Sequence, residues 1–242
     1  MQHVNVILVG TTHPGNIGAS ARAMKTMGLV NLRLVAPSGF PSAEVTARAA
    51  GAGDVLAGAR VFATLADAIA DCGVVLASSA RVRGIPWPEY TPREAAARVL
   101  DAARAGTEIA LVFGREQSGL SNEELSLCHG MIRIPANPEF SSLNLAAAVQ
   151  VIAYELNVGS AVADSAAEEG EPGIRRVNAA ELEQLHAHLE ACMTDIGFMR
   201  PEQPRRLMIR LRRLFNRAAL DENEYNILRG ILAAAQQAAR KK

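Results

Sequence analysis

Apolar residues in this chain come in short runs, each cut off by a polar loop. Val4 to Val9 is the first, followed by the Gly-rich stretch Gly10-Thr11-Thr12-His13-Pro14-Gly15-Asn16-Ile17-Gly18. Good helix formers then run from Ala19 to Met27, and Gly28 is placed to stop them. A second run, Leu32 to Ala36, is closed by Pro37, which makes a βαβ opening. The pattern continues with a helix over Glu44 to Ala50, a short strand over Arg60 to Ala63 and a helix over Leu65 to Ala70. A strand over Val74 to Ala77 follows and ends in Ser78-Ser79-Ala80-Arg81. Arg83 to Pro88 holds two prolines around Trp87 and predicts a loop. Pro92 opens a helix to about Ala105, and Ile109 to Phe113 is a fully apolar strand. Beyond it lie a short helix capped by Ser121, a strand from Met131 to Ile134 and the loop Pro135 to Ser141. Ser142 then reads as the cap of a long helix, Leu143 to about Asn157. Strand and helix in alternation predict an α/β domain with a mostly parallel sheet over residues 1–158.

The pattern changes after that. Residues 159–178 are rich in Ala, Ser and Gly, with acids between Asp164 and Glu171 and then Pro172-Gly173, which reads as a linker. Residues 179–242 read as a small all-α unit, with helices from Ala179 to Met193, from Pro204 onward and from Glu222 to about Ala239. In the Pro204 helix, Leu207, Leu211, Leu214, Phe215 and Ala218 share one face. Arg205, Arg206, Arg210, Arg212, Arg213 and Arg217 fill the rest, with Arg200 ahead of them and Glu202 as the one acid nearby. Solvated faces usually mix signs; a face of one sign suits RNA or phosphate.

Composition narrows the class. Hydrophobic residues make up 49%, enough for a substantial core, while aromatics are only 4%, so that core is aliphatic. Formal net charge is zero, so nucleic-acid contact must come from local patches. The three cysteines, Cys72, Cys128 and Cys192, are far apart and form no CxxC, which suits a reducing cytosol. The scattered histidines give no metal-ligand spacing, no cleavable leader precedes the first strand, and no run is long enough to span a membrane.

Three loops carry candidate chemistry. The first has P-loop spacing from Gly10 to Gly15, but Asn16-Ile17 stand where Lys and Ser or Thr would hold phosphates, which argues against a nucleotide hydrolase. What it leaves is Asn16, Gly18 and Arg22, a permanent cation about one helical turn beyond Gly18. The second is Phe113-Gly114-Arg115-Glu116-Gln117-Ser118, a polar loop at the carboxyl end of a buried strand. Its bland alternative is a turn in which Arg115 and Glu116 pair with each other or with solvent. The third is Ser141-Ser142-Leu143-Asn144, with Asn144 in the first turn of the long helix, where an asparagine needs a partner for its side chain.

These blocks, Asn16 to Arg22, Val112 to Glu116 with Gly119 to Ser121, and Ser141 to Asn144, resemble the three motifs of the SPOUT methyltransferases. Within that superfamily, Ala80-Arg81, Pro86-Trp87-Pro88 and a tail containing Leu211 to Phe215 and Ile227 to Ile231 are similar to bacterial tRNA ribose 2′-O-methyltransferases. The resemblance implies a C-terminal trefoil knot in the α/β domain, S-adenosylmethionine bound in that knot, and a homodimer. It implies methylation of the ribose of the first anticodon-loop nucleotide of tRNA, a cytidine or uridine. Arg22, Asn16, Glu116 and Asn144 are the implied catalytic set. Ser79, Ala80, Arg81, Gly114, Ile134, Ser141, Ser142 and Leu143 are the implied cofactor contacts. Arg22, Arg83, Arg115, Arg205, Arg206, Arg210 and Arg213 are expected toward RNA. Trp87 either stacks on a base or packs. The competing expectations are another RNA target, such as ribosomal RNA, and a catalytically silent RNA-binding module.

Overall fold

The computed structural model describes residues 1–79, 87–164, 176–199 and 205–240. Among the described residues, seven strands form one sheet: β1 (Val4–Val9), β2 (Asn31–Val35), β3 (Arg60–Phe62), β4 (Val74–Ser78), β5 (Glu89–Tyr90), β6 (Ile109–Phe113) and β7 (Gly130–Ile132). Their order is β3-β2-β1-β6-β4-β7-β5, and every pairing is parallel. The central strands read as unbroken apolar runs because both faces of the sheet are covered. Val4, Val6 and Leu8 of β1 face one core with Ile109, Leu111 and Phe113 of β6, while Ile7, Val9, Ala110 and Val112 face the other.

The helices of the α/β unit are α1 (Pro14–Thr26), α2 (Ala43–Ala49), α3 (Gly53–Ala57), α4 (Leu65–Ile69), α5 (Pro92–Arg104), α6 (Asn122–Ser126) and α7 (Leu145–Asp164). On the first face α7 packs between α1 and α5. It buries Leu145, Val149, Ile152, Ala153 and Leu156 against the sheet. Gly18 lets α1 meet α2 at backbone distance; a Cβ there would stand 2.2 Å from the Val45 carbonyl oxygen.

The helical tail comprises α8 (Ala179–Asp195), α9 (Arg205–Ala218) and α10 (Glu222–Arg240). It is seated on the second face of the sheet. Ala179 N donates to Cys72 O, and the buried Asn216 of α9 donates to Cys128 O at 3.2 Å.

Several boundaries depart from the sequence expectation. α1 begins at Pro14, five residues before Ala19, because proline is pre-set for a first helical position and Glu116 meets the donors at that helix end. α7 begins at Leu145 with Asn144 as its cap: Asn144 Oδ1 accepts from Ala146 N at 2.9 Å, a role the sequence suggested for Ser142. The same helix runs to Asp164, six residues into the segment expected as linker, and Val177 at that segment's end is buried. Two elements, α3 and the two-residue strand β5, were absent from the expected pattern. In α9, Leu214 is exposed, and Met208 and Asn216 are buried instead.

Candidate active site

β1, β4, β6 and β7 all deliver loops to the same edge of the sheet, beyond their carboxyl ends. There the loops after β4, β6 and β7, with the start of α7, line a cavity of about 410 Å³, within the size range of small-molecule sites. Ser79, Gly114, Ile134, Ser141, Ser142 and Leu143, six of the eight expected cofactor contacts, line it. The other two, Ala80 and Arg81, lie outside the described residues, as does Arg83. Phe113, Leu145 and Ala148 add apolar wall. This mixture of backbone edges, hydroxyls and apolar surface fits a nucleoside-bearing cofactor such as S-adenosylmethionine.

Gly114 has a second duty besides lining the cavity. A Cβ on it would stand 2.4 Å from Gly119 C and Leu120 N, so the loop can fold back on itself only with glycine there. The fold-back is closed by backbone bonds between Arg115 and Gly119, whose φ is +69°.

Arg115 and Glu116 point away from each other. The Arg115 guanidinium lies over Gly10, where a Cβ would come within 2.7 Å of Nε, and makes a two-pronged pair with Glu124 of α6 at 2.9 Å on each arm. Hydrogen bonding to Glu124 holds the Arg115 guanidinium above its ordinary pKa. This replaces the alternative that Arg115 pairs with its neighbour Glu116, and it leaves the side chain 37% exposed, so the expectation that it faces RNA or a partner subunit stands as a proposal.

Glu116 reaches the N-terminus of α1. Its Oε2 accepts from Thr12 N at 3.2 Å and Thr12 Oγ1 at 3.0 Å; its Oε1 accepts from His13 N at 3.3 Å and Asn16 Nδ2 at 2.9 Å. Burial pushes the carboxyl upward, but the bonds from Asn16, its own backbone N–H and Thr12 outweigh it and bring the pKa down to about 2. Asn16 Oδ1 in turn accepts from Asn144 Nδ2 at 3.0 Å. The polarity of this relay is set at both ends. A carboxylate can only accept, and the Ala146 N–H can only donate, so each amide between them has one workable orientation. Three expected catalytic residues from three distant loops are thus one connected unit.

Arg22 lies on α1 six residues beyond Asn16, about 9 Å along the helix axis. It is exposed, and among the described residues its side chain makes no hydrogen bond or ion pair. Glu116, fully engaged with the helix end, is not its partner. Among the described residues, then, Arg22 is an unpaired cation at the margin of the relay.

Trp87 is buried in the second core, which decides for packing over stacking. On α9, Arg210 is exposed and Arg213 half-exposed, with no ion pair among the described residues. The side chains of Arg205 and Arg206 lie outside the described residues. Arg212, which composition grouped with them, turns inward: it pairs with Glu183 through both terminal nitrogens, one of them at 2.8 Å, and touches His186. No group of three metal-ligating side chains is gathered among the described residues.

Residues 3–154 match the SpoU rRNA Methylase family, and residues 180–242 match the C-terminal domain of the tRNA methyltransferase TrmJ. The chain is 51% identical to the tRNA (cytidine/uridine/adenosine-2′-O-)-methyltransferase TrmJ of Pseudomonas aeruginosa, over 99% of its own length and 96% of the relative's. It is 48% identical to the tRNA (cytidine/uridine-2′-O-)-methyltransferase TrmJ of Citrobacter koseri, with 98% of each chain covered. The crystal structure of TrmJ from Z. mobilis superposes with a TM-score of 0.81 at 37% identity, covering 95% of this chain and 97% of that one. The chain belongs to the SpoU methylase family and, over nearly its whole length, to the TrmJ branch of it.

Proposed function

We propose that this protein transfers a methyl group from S-adenosylmethionine to the ribose 2′-hydroxyl of the first anticodon-loop nucleotide of tRNA, a cytidine or uridine. The observation that carries the reading is the joining of Asn16, Glu116 and Asn144 beside a nucleoside-sized cavity that Glu116 itself lines, with the exposed Arg22 on the same helix as Asn16. The full-length likeness to tRNA 2′-O-methyltransferases supports it.

S-adenosylmethionine brings a methyl already activated on a sulfonium, so the protein has to position the hydroxyl and manage its proton. Ser79, Ser141, Ser142 and the backbone at Gly114 and Leu143 would hold the cofactor. Arg22 is permanently protonated, so its role is to orient the hydroxyl and stabilise the oxyanion as charge develops. The hydroxyl proton leaves to a phosphate of the RNA. The relay fixes α1, and hence Arg22, relative to the cofactor loops. Arg210 and Arg213 on α9 supply cations for the RNA backbone.

The working unit we infer is a homodimer. Ala147, Tyr154, Val158 and Ala161 form an exposed apolar stripe along α7 at helical spacing, with Val151 half-covered among them. The knot follows the family and fits the strand order. β7 lies between β4 and β5, two earlier strands joined to each other by residues 79–88. The cytoplasm is the compartment that three free, buried cysteines suit. Among the described residues no helix is long and apolar enough to cross a membrane.

The test is incubation with labelled S-adenosylmethionine and full-length tRNA, with the methyl mapped by ribose-methylation-sensitive sequencing. A 2′-O-methyl at the start of the anticodon loop, lost in Arg22→Ala, is the expected result. A methyl at another position, or on ribosomal RNA alone, would overturn the substrate assignment.

A further inference from the structure

A second cleft shares a wall with the cofactor cavity. Ile134, Ser142 and Leu143 border both. Phe140, Pro135 and Arg93 also line it, and Val151 joins it to the border of the apolar stripe on α7. Phe140 is 80% exposed, the most exposed large apolar side chain among the described residues. Its backbone is nonetheless held: Phe140 N donates to Asn137 O at 2.9 Å, and Glu139 N to Asn137 Oδ1 at 3.0 Å. The held turn presents the face of an aromatic ring to solvent beside the cofactor cavity, in a chain that is only 4% aromatic. Arg93 is also open, with a side chain 83% exposed. Only its Nε is engaged, donating to Glu155 Oε2 at 3.3 Å; among the described residues its terminal nitrogens make no hydrogen bond.

An aromatic face and an unspent guanidinium in one cleft is the pairing by which proteins hold single-stranded nucleic acid, base on ring and phosphate on cation. We propose that Phe140 is a stacking platform for an RNA base flanking the methylated nucleotide, with Arg93 on the adjoining phosphate. This rests on the reading of the chain as a tRNA ribose methyltransferase. The continuity of the two clefts carries the assignment: a ribose presented to the cofactor cavity puts a neighbouring nucleotide within reach of Phe140. Glu155, the acid of the cleft, lies under the Arg93 Nε and is half-covered, so it leaves the phosphate side cationic.

The experiment is a cycle between protein and RNA. An anticodon stem-loop is prepared intact and with an abasic residue at each loop position flanking the target, and kcat/KM is measured with wild type, Phe140→Ala and Phe140→Trp. Phe140→Ala is expected to lose about tenfold on intact RNA, within the range of one base stacked on an aromatic ring. One abasic RNA should lose as much with wild type and nothing further with Phe140→Ala, and Phe140→Trp should retain activity. Arg93→Ala should weaken binding evenly across these RNAs and lower the salt dependence by about one counterion. Losses that multiply at every abasic position would overturn the assignment. So would a Phe140→Ala protein with weakened S-adenosylmethionine affinity or altered sedimentation, which would place the ring at the cofactor or between subunits. Wild-type protein that binds the cofactor and methylates no tRNA would overturn the functional reading itself, an outcome distinct from a wild type that methylates tRNA with Phe140 indifferent.

Discussion

Replacing Glu116 by glutamine keeps the shape of the side chain and reverses one half of its hydrogen bonding. The introduced glutamine can still accept from Thr12 through its carbonyl oxygen, but its amide nitrogen then faces Asn16 Nδ2 and His13 N, donor against donor. Asn16 cannot flip to relieve this, because its other end would clash with Asn144 Nδ2, and Asn144 is fixed by its cap to Ala146. Each bond to a charged partner contributes about 1.5–3 kcal/mol. The site is half-exposed, and water offsets part of the loss, so the expected cost is about 1–2 kcal/mol. For a chain of this size that lowers Tm by about 3–6 °C. Asn144→Asp by itself breaks the relay from the opposite end. Combined, the two substitutions allow the whole relay to run backwards: the introduced aspartate accepts from a flipped Asn16 Nδ2, and Asn16 Oδ1 accepts from the introduced glutamine. Thermal unfolding and S-adenosylmethionine calorimetry on the four proteins of the cycle measure this. The expected coupling is about 1 kcal/mol or more in favour of the double variant. A double variant no more stable than the sum of its singles would refute the relay as the element that joins the loops.

Other outcomes follow from the same geometry. Arg22→Ala should leave Tm within about 2 °C of wild type, since the side chain is exposed and unbonded among the described residues, while lowering the methylation rate at least about a hundredfold. Arg22→Lys distinguishes a plain positive charge, which would retain activity, from a need for the planar fork. Gly114→Ala drives a Cβ to 2.4 Å from the Gly119–Leu120 backbone and should abolish cofactor binding measured by calorimetry, with a stability loss of about 2 kcal/mol or more. Acid should loosen both units of the chain. Glu116 and Glu183 are each held down to about 2, Glu183 because bonds from His186 and Arg212 outweigh its burial. Folded pKa values below the unfolded value of about 4.3 mean that this stabilisation is complete above that pH and is lost as pH falls toward 2. Near-UV circular dichroism from pH 6 to 2 should show the loss confined to that window.

The strands were legible because each central one is a short apolar run buried on both faces, as in Val4 to Val9 and Ile109 to Phe113. The candidate residues were legible as three separate polar interruptions. Their connection was not, since it depends on a carboxylate 100 residues from the amide it bonds and an amide pair separated by 128. The same long-range cap explains why Pro14-Gly15 read as loop while the chain there is already helical. Arg115 and Arg212 looked like surface cations because nothing local marks Glu124 or Glu183 as their partners. Strand β5 has two residues, too few for any period to register.

The reach of the relay along the chain bears on how the protein matures. Loops that close over long sequence separations assemble late, after the entropy of ordering the intervening chain has been met. Asn16 is made early in synthesis and waits for Asn144, which must pair with it across 128 residues. A nascent chain shorter than that has one end of α1 held by Glu116 at most, and no wall from Ser141 to Leu143 around the cavity. Affinity for S-adenosylmethionine is therefore a property of the completed domain, and cofactor capture reports that the α/β unit has finished folding.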